Sequence, residues 1–320
     1  MPLFRRSAGR VAPGLDPTLG DADARWLWAA LAAGDWLAAR PMLAAERAQE
    51  DLDFLVSVAA QVPGTEHWLA HVIEHGPDDP LALLVRGHRA IAWAWEARTG
   101  LFAAYVPPER WVLFRQRLEL AEYCLQEVVR REPANVTAWT GLITVARGLG
   151  LSANEQRRRF DAAVAHDPDN YRAHTAMLQN LCRKWGGSPE RMRAFAERAA
   201  RDAGEGSRLG TLVALAHLEH WLDLGGAPSR DYIRSAAVRE SLNDAARESV
   251  RHRRYVRRRD WALDANAFAV AFLAAGDDEA AAMQFLAIGE LVTEFPWCYL
   301  GEPVAAFRSA ASAVNARTAW

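Results

Sequence analysis

Pro133-Ala134-Asn135-Val136-Thr137-Ala138-Trp139 and Pro168-Asp169-Asn170-Tyr171-Arg172-Ala173-His174 follow one plan at an interval of 35 residues. A proline is followed by a short polar residue two positions on, an alanine five on and a large residue six on. Pro77-Asp78-Asp79-Pro80-Leu81-Ala82-Leu83 repeats the plan upstream. The chemistry of the pattern is that of paired helices. Proline ends one helix and begins a turn, small residues sit where two backbones approach closely, and large ones sit where the next pair stacks. A fixed period of this length points to a stack of helical hairpins.

Leu142 follows Trp139, and Phe160, Ala163 and Pro168 then occupy the aromatic, small and terminating positions of a second helix. Between Pro77 and Pro133 both halves of a repeat are present. Gly87 and Ala90 mark the first helix, and Ala121, Leu125 and Val128 mark the second, which places the surplus residues around 97–117. Gly34-Asp35-Trp36 with Ala39 and Leu43, and Gly276-Asp277-Asp278 with Ala281 and Phe285, are turns of degenerate outer hairpins. Leu209 to Leu224 reads as helix, stopped by Gly225-Gly226-Ala227-Pro228. The expected fold is all-α, with a flexible arm over 1–20, degenerate hairpins over 21–76, a core over 77–226 and further hairpins over 227–320.

These motifs resemble the tetratricopeptide (TPR) superfamily, whose members are mostly adaptors that hold extended peptides in a concave groove. Ala92 to Gly100, Trp139 to Gly148 and Lys184-Trp185-Gly186-Gly187-Ser188 are also similar to an uncharacterised bacterial family with a TPR-like fold, over roughly Asp78 to Gly226. His174 replaces the usual aromatic, and Ile143 and Leu178 replace small residues. The resemblance implies a TPR-like α-solenoid of antiparallel helix hairpins, about six or seven pairs in all. It also implies an inner face lined by Thr137, Thr140, Thr144 and Arg147 in one repeat and by Arg172, Thr175, Gln179 and Arg183 in the next. That set holds three arginines and no carboxylate, so a carboxylate-bearing peptide or protein is one expected partner. A solvated polar helix face is the plainer reading.

Composition narrows the function classes. The formal net charge is −2 and 51% of residues are apolar, so a folded chain without a global positive field is expected, and nucleic acid is not the expected partner. No apolar run approaches the roughly 20 residues of a membrane span. Behind Arg5, Arg6 and Arg10 there is no apolar stretch of a secretory signal, so a cytoplasmic setting without membrane attachment is expected. Cys124, Cys182 and Cys298 are widely spaced and read as small core residues rather than disulfide partners.

Four other features are candidates for chemistry. Trp93, Trp95, Glu96 and Arg98 lead into Phe102, Tyr105, Trp111 and Phe114, an aromatic insertion that either packs a long loop or forms a small-molecule or peptide pocket. His67, His71 and His75 recur every fourth residue, and His217 and His220 form a second helical pair, spacings that can hold a metal ion. Neither matches a metallohydrolase or di-iron signature, and no metal or other cofactor is expected. Arg251 to Arg259 holds six arginines, read as a solvated helix face. Phe295, Trp297, Tyr299 and Phe307 are expected to be exposed on the last hairpin, where they could pair two copies of the chain. With no nucleophile elbow, phosphate loop or dinucleotide fingerprint, a non-catalytic binding protein is favoured, and a helical enzyme or metal- or small-molecule-binding protein is the alternative.

Overall fold

Glycine and short polar residues set the helix ends as the sequence anticipates. In the computed structural model, which describes residues 14–45, 47–98 and 106–318, Asp35 caps the helix after Gly34 and Asp277 caps the one after Gly276. Asn135 and Ser152 cap their helices in the same way, each side chain accepting from a backbone N–H of the first turn.

The first eight helices are α1 (Ala22–Ala32), α2 (Trp36–Ala44), α3 (Gln49–Ala59), α4 (Thr65–His75), α5 (Pro80–Arg98), α6 (Pro108–Arg131), α7 (Val136–Leu149) and α8 (Ala153–Val164). Then come α9 (Tyr171–Asn180), α10 (Pro189–Ala203), α11 (Thr211–Leu224), α12 (Gly226–Ile233), α13 (Ala236–Glu248), α14 (Ala262–Ala275), α15 (Asp278–Ile288) and α16 (Pro303–Thr318). Short 3-10 turns lie at Arg183–Trp185, Arg208–Gly210 and Trp297–Tyr299, and no strand occurs among the described residues. The fold is all-α, with neighbouring helices packed on one another.

The chain divides into two units. The N-terminal one spans Gly20–Met177, and the C-terminal one holds 178–318 with the stretch 14–19. The division falls inside 77–226, the stretch expected to form one core.

In the N-terminal unit α1 packs on α2, α5 on α6 and α7 on α8, while α6 also packs on α7. Close approach is bought by glycine. A Cβ on Gly87 of α5 would stand 2.7 Å from Leu125 of α6, and one on Gly141 of α7 would stand 2.6 Å from the same leucine. The surplus residues of this repeat lengthen its helices, to 19 residues in α5 and 24 in α6 against 14 in α7 and 12 in α8. The remainder of the insertion, with Phe102 and Tyr105, lies outside the described residues.

The C-terminal unit is built around two helices buried on nearly every side. Thr211 to Glu219 of α11 are buried without a break, as are Asp264 to Phe272 of α14. Helix α11 is packed by α10, α12, α13 and α14. Two expectations change here. Trp297, Tyr299 and Phe307 are buried rather than exposed, because Trp297 donates to Asn266 Oδ1 at 2.6 Å and is flanked by Phe285 and Phe307, so their basis for a homodimer contact through the C-terminal hairpin is gone. Residues 14–19, expected within a flexible arm, are turns in which Leu15 packs on the C-terminal core and Thr18 is buried.

Candidate functional site

Helix α7 carries four of the residues expected to line a groove, and the structure turns two of them inward. Thr137 is buried, donating to Asp53 Oδ1 at 2.5 Å and accepting from Gln49 Nε2 at 2.7 Å. Thr140 is buried as well, and Thr144 is half-buried. These threonines therefore offer little surface to a ligand. Arg147 donates to the Ala176 carbonyl at 3.2 Å and lies over the Trp95 ring at 5.7 Å.

Asp53 brings a carboxylate to positions expected to have none. It also accepts from Asn170 Nδ2 at 2.7 Å, and burial raises its pKa against the opposing pull of Thr137, Asn170 and the Arg172 charge. His88 sits beside this cluster with Nε2 3.0 Å from the Thr137 carbonyl, and burial lowers its pKa to about 4.

Gln179 and Arg183 belong to the C-terminal unit, and Thr140, Thr144, Arg147 and Arg172 to the N-terminal one. Gln179 donates to Glu219 Oε1 at 2.6 Å. Arg183 is in a 3-10 turn rather than on a helix and pairs with Asp223 at 3.3 Å. Lys184, the single lysine, is 2.8 Å from the other Glu219 oxygen, and the Tyr299 hydroxyl donates to Oε1 at 2.5 Å. Burial works to raise the Glu219 pKa, but Lys184 and the hydroxyl and amide donors outweigh it and hold the carboxyl below its ordinary value.

The aromatic insertion is brought together in part. Arg117 lies 3.7 Å from the Trp93 ring centre, Arg98 lies 5.4 Å from both Trp95 and Trp111, and Phe114 meets those two indoles edge-on. Guanidinium and ring thus cover each other's faces. Glu96 receives two hydrogen bonds from Arg89, at 2.8 and 3.1 Å, and Arg89 also donates to Glu66 at 2.8 Å and to the Ala60 carbonyl at 3.1 Å. Those bonds anchor a guanidinium only 1% exposed.

The histidines do not converge. His67 and His71 are exposed, near Glu66 and Glu74 respectively, and His75 Nδ1 lies 2.8 Å from the His71 carbonyl. His217 is buried, with Nδ1 2.7 Å from the Tyr232 hydroxyl and Nε2 3.0 Å from Ser241 Oγ. The His220 ring sits edge-on to Tyr232 at 4.4 Å. Among the described residues no three His, Cys, Asp or Glu side chains are grouped to hold a metal ion. The arginine-rich segment is a run of turns rather than a helix face, and two of its guanidiniums lie over rings, Arg251 on Phe272 at 4.9 Å and Arg257 on Trp261 at 4.3 Å.

A feature with no local sequence signal lies in the C-terminal unit. Helices α10 and α13 both rest on α11, and between them opens a cleft of about 670 Å³. Ala200, Val213, Ala237 and Ala245, with Gly204 and Gly210, supply its small apolar surfaces. Glu197, Glu205, Glu240, Asp244 and Glu248 bring carboxylates, against the single guanidinium of Arg201. Gly210 permits the close packing beneath it, since a Cβ there would stand 2.6 Å from Ser249. Its walls come from residues up to 51 positions apart, with no spacing for a motif search to find. Such a cleft can hold a segment of chain or a ligand of similar size. Comparison with family models, with characterised proteins and with solved structures gives no match to this chain.

Proposed function

We propose that this chain is a non-catalytic binding protein of TPR-like architecture that docks a segment of a partner protein in the cleft between α10 and α13. The 35-residue period, the helix pairs and the glycine-mediated approach of α5 and α7 to Leu125 support the architecture. The cleft carries the functional reading, because its walls are small side chains that leave room for an incoming segment.

Selection of random peptides against the full chain tests it. Enriched peptides should lose at least tenfold in affinity for Ala237→Trp, which fills the cleft from an exposed position without disturbing the core. Peptides that bind that variant as well as the parent would place the docking site elsewhere.

A second reading rests on the arginine and indole groups of the N-terminal unit. Arg98, Arg117 and Arg147 lie over Trp95, Trp111 and Trp93, and this gathering of guanidinium charge suits an acidic peptide. Binding of a polyglutamate peptide that is lost in Arg117→Gln and kept in Ala237→Trp would favour it.

A further inference from the structure

Resting on the cleft reading above, we infer that the docked segment is basic, rich in arginine or lysine. Walls and rim of the cleft differ in chemistry in a way that matches those two side chains. Alanine and valine surfaces accept the methylene stem, and carboxylates at the edge meet the cationic head. A purely apolar segment would leave those carboxylates dehydrated beside it, and an acidic one would be repelled.

The carboxylates come from both walls. Glu197 stands on α10, while Glu240, Asp244 and Glu248 stand at four-residue intervals on α13, one per turn and therefore along one side of the helix. Part of this charge is already balanced. Arg247 pairs with Asp244 at 2.8 Å and with Glu248 at 3.3 Å, and Arg254 lies 3.5 Å from Glu205. Glu197 and Glu240 are exposed and have no ion-pair partner among the described residues, and Arg201 is the one cation lining the cleft. The unbalanced pair thus faces the opening from opposite helices. An arginine or lysine entering between them gains two counter-ions without displacing an existing pair.

The test uses three labelled 12-residue probes of alternating sequence, Arg-Ala, Gln-Ala and Glu-Ala, with the full chain and fluorescence anisotropy. The Arg-Ala peptide should bind about tenfold more tightly than the Gln-Ala peptide at 50 mM salt, the sum of several modest rim pairs, and the advantage should shrink severalfold at 300 mM. The Glu-Ala peptide should not bind. The double variant Glu197→Lys/Glu240→Lys should abolish the preference, and because both side chains are exposed its helix content and thermal midpoint should match the parent. Equal binding of Arg-Ala and Gln-Ala, with both lost in Ala237→Trp, would overturn the basic preference and leave the cleft as the docking site. Binding of Arg-Ala that survives Ala237→Trp, or no binding of any probe, would overturn the cleft reading itself.

Discussion

Arg89 in the N-terminal unit lies between Glu66 and Glu96, and Arg208 in the C-terminal unit lies between Asp260, at 2.7 Å, and Asp264, at 3.2 Å. Both are buried guanidiniums holding two carboxylates, but their surroundings differ. Glu96 keeps a quarter of its side chain in contact with solvent, whereas Asp260 and Asp264 keep 3% and 1%. The difference follows from how each unit makes its core. In the N-terminal unit α1, α2 and α6 bury a stripe of residues three or four apart, so charged side chains can reach an edge. The C-terminal unit wraps other helices around α11 and α14, and an acid on α14 is enclosed wherever it points.

Removing the cation should expose this contrast most strongly. Arg208→Met takes a guanidinium away from two enclosed aspartates and should cost about 4–5 kcal/mol, the upper range for breaking a buried ion pair. Arg89→Met should cost less, about 3 kcal/mol, because Glu96 can recover water. Urea midpoints of the two variants measure the gap. An Arg89→Met loss equal to or larger than that of Arg208→Met would remove the claimed difference in enclosure.

A histidine held neutral in each unit gives a second, somewhat smaller test. Burial lowers both His88 and His217 to about 4, with Arg172 acting further on the first and Arg193 and His220 on the second. The unfolded chain takes up these protons near pH 6.5 and the folded chain only near pH 4, so stability is lost as pH falls through that window, by up to about 3 kcal/mol per histidine. Asp53 and Asp264 act in the opposite sense. Burial raises both, so the folded chain holds their protons more tightly and their contribution falls as pH rises above about 4. His88→Gln and His217→Gln should each flatten the difference in urea midpoint between pH 7 and pH 4.5. If neither does, the acid sensitivity originates in other groups.

The two units also differ in how far the sequence reveals them. Turn residues and small close-contact residues that recur with a period mark α5 to α8, so these helices, Asn135, Gly87 and Leu125 were all legible. Helices α11 and α14 are buried on nearly every side and carry no stripe, so each reads only as an apolar run. Periodicity also says nothing about what enters from afar. Thr137 and Thr140 lie on the side of α7 that a TPR would open to a ligand, yet Asp53, more than 80 residues earlier, comes to meet Thr137. Trp297 and Tyr299 read as surface aromatics because Asn266 and Glu219, their hydrogen-bond partners, lie 31 and 80 residues away. The α10–α13 cleft was illegible for the same reason. Of the aromatic insertion, the grouping of Trp93, Trp95 and Trp111 was readable from proximity, but the use of Glu96 by Arg89 was not.

The glycine-acid turns, recognised at both ends of the chain, supply the finest test, since one motif is placed in both units. Asp35 accepts from the Ala38 N–H at 2.9 Å at an exposed helix start. Asp277 accepts from Ala280 N–H at 3.1 Å and, through its other oxygen, from Asn243 Nδ2 at 2.9 Å, which ties the cap to α13. Loss of an N-cap side chain costs about 1 kcal/mol, and a further hydrogen bond from a side-chain amide adds about 0.5–1 kcal/mol. Asp35→Ala should therefore lower stability by about 1 kcal/mol and Asp277→Ala by about 1.5–2 kcal/mol. Asn243→Ala should remove the excess, so that Asp277→Ala made in that background costs no more than Asp35→Ala does alone. A double-mutant cycle in thermal or urea unfolding reads this directly, and a coupling near zero would show that the C-terminal turn is an ordinary cap.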